Sequence, residues 1–351
     1  MYKIRLISLL IFSVFLFSCE SEKEESVKSQ TPHYYQTTGR AQGTTYSIIY
    51  EDNKKRDLSN EIDSVLKQVD QELSIYVDSS TISKINQLAV DSALEVGDKP
   101  LFIACYNIAK DVYLKTDKSF NPALYPLVKY WGFLNFEQGD LQHQQSEIDS
   151  LLLLIDFSDK ALELKNQKVT KHKFCNIDFN AVAQGYSVDV IATYLEGLGV
   201  KNYMVEVGGE LKTKGKNAKN KDWRIGIDKP IENSSPGEKE FQIIVSISGK
   251  SLATSGSYRK FYEKEGIKYS HTINPFTGKP VQHHLLSTTV VTDGCGKADA
   301  YATAFMVLGV EKTKAFLAQN KALNLSVYLV YSDEEKGWGT WQTESFNEII
   351  D

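Results

Sequence analysis

Residues 178–207 read DFNAVAQGYSVD from Asp178 to Asp189 and continue VIATYLEGLGVKNYMVEV to Val207. From about Ala181 to Leu198 the apolar residues Val188, Ile191 and Leu195 fall on one stripe, the spacing of a helix. Gly199 closes that helix, and Tyr203–Val207 follows as a short apolar strand. Outward from here, helices and strands mix without a regular strand–helix–strand rhythm. Thr44–Tyr50 (TTYSIIY) is β-branched and aromatic, a strand. Leu58–Leu73 carries Ile62, Val65, Leu66, Val69 and Leu73 on one helical face, and Leu101, Cys105, Ile108 and Val112 repeat the period after Pro100. Strands are expected at Trp223–Ile227, Phe241–Ile247, Ser287–Thr292 and Leu325–Tyr331. A helix over Lys297–Leu308 should lead through Gly309 into a last helix, while Lys214–Asp222 and Glu232–Lys239 read as solvated insertions. This order predicts the α+β class, built as a single large mixed unit, over a doubly wound parallel sheet.

Composition narrows the function. The chain has 351 residues, 42% hydrophobic and 24% charged, with a formal charge of −5. Enough apolar surface exists to offset chain entropy, so disorder is excluded. The acidic balance argues against non-specific nucleic-acid binding, which needs a basic stripe to displace counterions. Residues 1–18 hold Lys3, Arg5 and an apolar run from Leu6 to Phe17. That run is too short for a bilayer core, which takes about 20 helical residues, and it reads as an export signal. The segment Leu16-Phe17-Ser18-Cys19 resembles the lipobox of bacterial lipoproteins, with Phe17 where a small residue is usual. Cys19 is thus the expected acylated residue, and residues 19–33, rich in Glu, Ser and Lys, form a tether ahead of a body spanning 34–351. Loss of the leader leaves 38 basic against 45 acidic residues, a net −7. Cys105, Cys175 and Cys295 then remain at wide spacing without a CxxC pair, so neither a zinc site nor a disulfide framework is indicated.

Three polar segments interrupt this apolar pattern. In the first, Asp178 and Asn180 stand where side-chain oxygens cap a helix start. Capping is the plain structural reading; the functional one is that small Ala181 and Ala183 let a phosphate or a metal approach the backbone. The second runs from Ser251 to Arg259 and on through Tyr269-Ser-His-Thr-Ile-Asn-Pro-Phe-Thr-Gly278, where Asn274-Pro275 and Thr277-Gly278 make a tight turn. His271 lies just before that turn among Ser270, Thr272 and Asn274, which weakens its reading as a core histidine. The third places Asp299 and Thr303 four apart on a helix, so a carboxylate and a hydroxyl share one face. Both are hard oxygen donors suited to Mg²⁺, although a lone Asp at a helix start also serves the helix dipole.

Taken in order, these segments resemble the FAD:protein FMN transferases of the ApbE type, from about Arg40 to Tyr331. The marks are Gly43-Thr-Thr-Tyr46, Leu73-Ser-Ile-Tyr76, Phe120-Asn-Pro-Ala-Leu-Tyr-Pro-Leu-Val-Lys-Tyr-Trp-Gly-Phe133, the Asp178 segment, Val207-Gly-Gly-Glu210, Ala253–Arg259, Ser270-His-Thr-Ile-Asn-Pro275 and Asp299–Thr303. Gln42, Asn121, Tyr125 and the Asn180-Ala181 pair depart from the usual pattern, and these departures touch cofactor contacts and loop geometry.

The resemblance implies a T-fold-like, Mg²⁺-dependent enzyme. It would cleave FAD, join the FMN phosphate to a Thr or Ser hydroxyl of a partner protein, and release AMP. It further implies metal ligation by Asp299, Thr303 and the backbone oxygen of Ala181. Flavin-nucleotide contacts would come from Gln42, Tyr76, Ser119, Phe120, Asn121, Asp178, Gln184 and Ile273, and His271 would be the base. Tyr76 and Phe120 are the candidate stacking surfaces. The acceptor would be a subunit of a membrane redox complex, and the enzyme would sit on the periplasmic side of a bacterial membrane. Two rivals are FAD hydrolysis to FMN and AMP, and a non-catalytic flavin-binding lipoprotein. A mere binder would need neither base nor metal.

Overall fold

A computed structural model describes residues 32–134, 144–230, 241–257, 261–264, 267–333, 335 and 337–351. The expected leader, Cys19, most of the tether, the Glu232–Lys239 insertion and Arg259 lie outside the described residues. The chain enters as a hairpin, β1 (Tyr34–Ala41) and β2 (Thr44–Glu51), and continues with α1 (Ser59–Leu73), α2 (Thr81–Gln87), β3 (Ser92–Glu95) and α3 (Pro100–Lys115). Then come α4 (Tyr125–Tyr130), α5 (Gln145–Leu152), β4 (Leu162–Lys165), β5 (Lys168–Lys171) and α6 (Ala183–Gly197). Strands β6 (Tyr203–Val207), β7 (Glu210–Lys214), β8 (Trp223–Asp228), β9 (Phe241–Ile247) and β10 (Ser251–Gly256) follow. The last part holds β11 (Phe261–Lys264), β12 (Ile267–Ser270), β13 (Leu285–Thr292), α7 (Cys295–Gln319), β14 (Ser326–Asp333), β15 (Gly337–Gln342) and α8 (Glu344–Asn347).

Eight strands pair antiparallel in the order β1-β2-β6-β7-β10-β13-β14-β15. Alternation along β2 and β6 turns Tyr46, Ile48, Tyr50, Tyr203, Val205 and Val207 to one face, against Ile62 and Leu66 of α1 and Val188, Ile191 and Leu195 of α6. On the other face Leu211, Leu252, Val291 and Val330 meet Trp223, Ile225, Val245 and Ile247 of the β8–β9 hairpin, and Phe346 of α8. The largest core joins α3, α7 and the small sheet β3-β5-β4, with Phe102, Tyr106, Tyr113, Phe157, Tyr301 and Phe305 fully buried. Residues 32–351 form one compact unit in this way.

One boundary differs from the sequence reading. α6 starts at Ala183 with Val182 at its N-cap and no side-chain cap bond, so Asp178 and Asn180 do not cap it. A cap is worth about 1 kcal/mol, whereas each of Val188, Ile191 and Leu195, all fully buried, contributes about 1.5–3 kcal/mol, so burial decides this helix. At Gly309 the reading holds: the backbone leaves helical geometry at φ 73 and one helix leads into the next within α7, with the His283 ring packed there and its Nε2 2.6 Å from the Met306 carbonyl. Strands β1, β3–β5, β7, β10, β11 and β15 and helices α2, α4, α5 and α8 were not expected. Most of them are short or polar, so apolar periodicity does not mark them. Cys105, Cys175 and Cys295 are buried free thiols.

Candidate active site

The site is organised by the contact between the starts of α6 and α7. Gly185 lacks the Cβ that would stand 2.5 Å from the Cys295 carbonyl oxygen and 2.8 Å from Asp299 Cβ, so the two helices approach closely there. Each first turn then receives a carboxylate from the other helix. Asp299 Oδ2 accepts the Gly185 N–H at 3.1 Å, and Asp189 Oδ2 accepts the Gly296 N–H at 2.9 Å. Negative charge at a helix N-terminus meets both the orphan N–H groups and the positive end of the dipole. Lys212 completes the ion pair of Asp189 at 2.9 Å, but among the described residues Asp299 forms no such ion pair.

Asp299 is 6% exposed, and burial lifts its carboxyl to about 7, with the Gly185 bond pulling the other way. Glu210, at the start of β7, is also buried; burial, then the charge of Asp299, raises it well above the ordinary carboxylate range. Two neighbouring buried carboxyls are satisfied either by protons or by a cation. One turn along α7, Thr303 Oγ1 lies 3.2 Å from Ser255 Oγ of β10. Ala181 stands in the turn before α6, and Gly185, the residue that would bond its carbonyl in a continued helix, points its N–H at Asp299 instead. A carboxylate, a hydroxyl and a backbone carbonyl are the hard oxygen set that suits Mg²⁺, which keeps several waters or phosphate oxygens. Among the described residues no cluster of three or more His, Cys, Asp or Glu exists.

A second group lies around the turn between α1 and α2. Tyr76 is 64% exposed, and its hydroxyl accepts from Asn180 Nδ2 at 3.4 Å. Asp178 Oδ1 takes the Asn180 N–H at 2.8 Å, and burial raises Asp178 to about 6 while those Asn180 bonds lower it. Burial of the Tyr76 hydroxyl end, then the Asp178 charge, raises Tyr76. The backbone N–H of Asp178 donates to the Pro122 carbonyl at 2.8 Å, which ties this turn to the Ser119-Phe120-Asn121 segment. Phe120 is 2% exposed inside the largest core, so its ring offers no stacking face, and Tyr76 alone of the two does. Ser119 is buried as well, and Asn121 spends its amide on the Ala123 N–H and the Ile155 carbonyl.

The remaining candidates come from two turns and from α6 itself. Gln42 sits at φ 53 in the β1–β2 turn and donates to Ser187 Oγ of α6 at 2.6 Å; its buried Oε1 has no hydrogen-bond partner among the described residues. Gln184 donates to the Val207 carbonyl at 3.3 Å and to Glu210 Oε2. His271 follows β12 and is half-buried. Ile273, nearly fully buried, bridges to Pro280 across the Asn274–Gly278 turn, and Trp131 Nε1 fastens that turn by donating to the Gly278 carbonyl at 2.7 Å. Glu210, Ser255 and Asn180 were not among the sequence-derived site residues. Asn180 and Ser255 nevertheless lay inside polar segments already singled out, and Glu210 stood in the Val207-Gly-Gly-Glu210 mark of the resemblance, where a polar residue beside two glycines was the available signal.

Comparison with known proteins gives a consistent answer. Residues 42–328 match the model of the ApbE family. A protein of Haemophilus influenzae named FAD:protein FMN transferase is 30% identical over 90% of this chain and 91% of its own length. The solved flavin transferase ApbE from Vibrio cholerae superposes with a TM-score of 0.80 at 29% identity, covering 91% of this chain and 99% of that one. The apo flavinyl transferase ApbE of Pseudomonas stutzeri gives 0.79 at 30% identity, over 91% and 97%.

Proposed function

Since the chain belongs to the ApbE family, we propose that it is an FAD:protein FMN transferase that moves FMN from FAD onto a Thr or Ser hydroxyl of a partner protein, releasing AMP. The observation that carries this reading is the buried Asp299–Glu210 carboxyl pair beside Thr303 and the Ala181 turn, which a proton or a cation must satisfy.

Asp299, Thr303 and the Ala181 carbonyl would hold Mg²⁺. When bound, the ion neutralises charge on the phosphoryl oxygens and eases departure of AMP. Tyr76 presents its exposed ring as a stacking face for a planar base. Gln42 offers its buried Oε1 as an acceptor and Gln184 its amide. The acceptor hydroxyl forms a bond to the FMN phosphorus as the P–O–P bridge breaks, and its proton passes to His271. An imidazole with an ordinary pKa near 6.5 suits that role, which is typically worth about 10²- to 10⁴-fold in rate. The enzyme is exported, acylated at Cys19 and held on the periplasmic side of a bacterial membrane, where its acceptor is a subunit of a redox complex.

The test is incubation of the protein with FAD, Mg²⁺ and a candidate acceptor, followed by mass spectrometry of the acceptor. A covalent FMN adduct with one AMP released per adduct is expected. AMP without an adduct would mean hydrolysis by water, and no AMP would sink both enzymatic readings. His271→Ala is expected to lower transfer at least about 10²-fold while FAD binding persists; transfer at the wild-type rate would remove His271 from the mechanism.

A further inference from the structure

Glu210 has no assigned role, yet it stands at the point where the sheet meets α6. It opens β7 directly after the two-residue turn Gly208-Gly209, opposite Val207. Gly208 adopts φ +64, and a Cβ there would lie 2.0 Å from Gln184 Nε2 and 2.8 Å from Thr44 Cγ2. The turn is therefore a cradle for the Gln184 amide, and only glycine leaves room for it. Inside it, Nε2 donates to two acceptors, the Val207 carbonyl at 3.3 Å and Glu210 Oε2. An amide has two N–H donors and one carbonyl oxygen, so both donors are consumed. The reverse orientation would set Gln184 Oε1 against the Val207 carbonyl, which is an acceptor whatever the state of Glu210. The hydrogen-bond network thus fixes the amide, and Gln184 Oε1 is left facing away from the hairpin.

We infer that Glu210 is a positioning residue for the flavin nucleotide: acting through Gln184, it presents a carbonyl oxygen and so selects an N–H donor on the substrate. This rests on the flavin-transfer reading above. FAD carries two such donors on planar rings, the flavin N3–H and the adenine N6–H₂, and both share the chemistry that Gln184 Oε1 would read. Without Glu210 the amide has one anchor fewer and can turn, so an acceptor-only contact becomes one that accepts or donates.

The experiment uses the whole chain with Mg²⁺ present and reads flavin fluorescence on titration with FAD and two analogues, one methylated at flavin N3, the other dimethylated at adenine N6. Wild type is expected to bind one analogue about ten-fold or more weaker than FAD, which identifies the donor. Glu210→Met, close in shape but without an oxygen acceptor, should weaken FAD about five- to ten-fold and leave that analogue unchanged, the scale of one hydrogen bond. In a Gln184→Ala background the same substitution should change nothing further, which a structural role or an effect through Asp299 would not produce. Glu210→Asp, which keeps the carboxyl but draws it back from Gln184, is the second variant and should lose the preference in the same direction if Glu210→Met does not fold. Equal wild-type affinity for all three compounds overturns the inference. So does an unchanged FAD preference in the Glu210 variants, or an undiminished Glu210→Met effect without Gln184. A wild-type chain that binds none of the three overturns the flavin reading itself.

Discussion

A carboxyl group buried beside a second one, and held by a single backbone N–H, is satisfied only by a proton or by a cation. Asp299 is in that position, and the sign of its pH dependence follows. Burial raises it from 3.8 to about 7, so between those values the folded chain holds a proton that the unfolded chain has released. Stability of the metal-free protein is therefore fully present below about pH 4 as far as this group is concerned, and declines as pH rises toward 7. Asp299→Asn should flatten that part of the melting-temperature profile in Mg²⁺-free buffer, with Glu210 supplying what slope remains. Added Mg²⁺ near neutral pH should raise the melting temperature of wild type and not of the variant. Equal slopes in the two proteins would show that Asp299 is not the titrating group. At this scale the sequence was informative about residue type: Asp299 and Thr303 stand four apart on a helix, a spacing that by itself fits a carboxylate serving the helix dipole, and only the family resemblance pointed to a metal. The environment of each was not legible. Phe120 and Tyr76 look alike as aromatics in a string, yet one is 2% exposed and the other 64%.

Between elements, the decisive contact is the start of α6 on the start of α7. Helix propensity alone predicts that Gly185→Ala stabilises the protein by about 1 kcal/mol. The steric effect opposes it, because the new methyl would stand 2.5 Å from a backbone oxygen that cannot move cheaply. Overpacking of this kind costs about 1–3 kcal/mol, so a lowered melting temperature is expected, together with weaker Mg²⁺ stabilisation as Asp299 is pushed away. Thr193→Ala, on the exposed side of α6, is the control and should change little. A raised melting temperature for Gly185→Ala would show that the helices are farther apart than described. The stripes of α1, α3 and α6 were readable because burial recurs every three or four residues. The beginning of α6 was misread because Asp178 and Asn180 are good capping residues that here bond each other and Tyr76 instead. β1 escaped notice because its Gln, Thr and Arg residues alternate with few apolar ones, as suits an edge strand.

For the whole molecule, the export and anchoring proposal makes the sharpest claim. Cys19→Ser should move the protein from the membrane fraction to the soluble fraction of the cell envelope and remove the acyl mass from its N-terminal peptide. A variant that stays with the membrane would contradict anchoring through Cys19. Among the described residues no helix is long and apolar enough to cross a bilayer. The amino-acid sequence by itself determined the fold class, the periodic helices, the acidic charge and the residue types able to hold Mg²⁺ and take a proton. These are local properties, carried by spacing and by side-chain chemistry. Only the tertiary structure decided which of those residues meet: that Asp299 and Asp189 each cap the other's helix, that Glu210 holds Gln184, and that Phe120 is core. Such pairings join residues up to 114 positions apart, and they depend on how closely two helices and a hairpin can approach. That approach is set by glycines at 185 and 208, whose importance lies in the atoms packed against them rather than in any pattern along the chain.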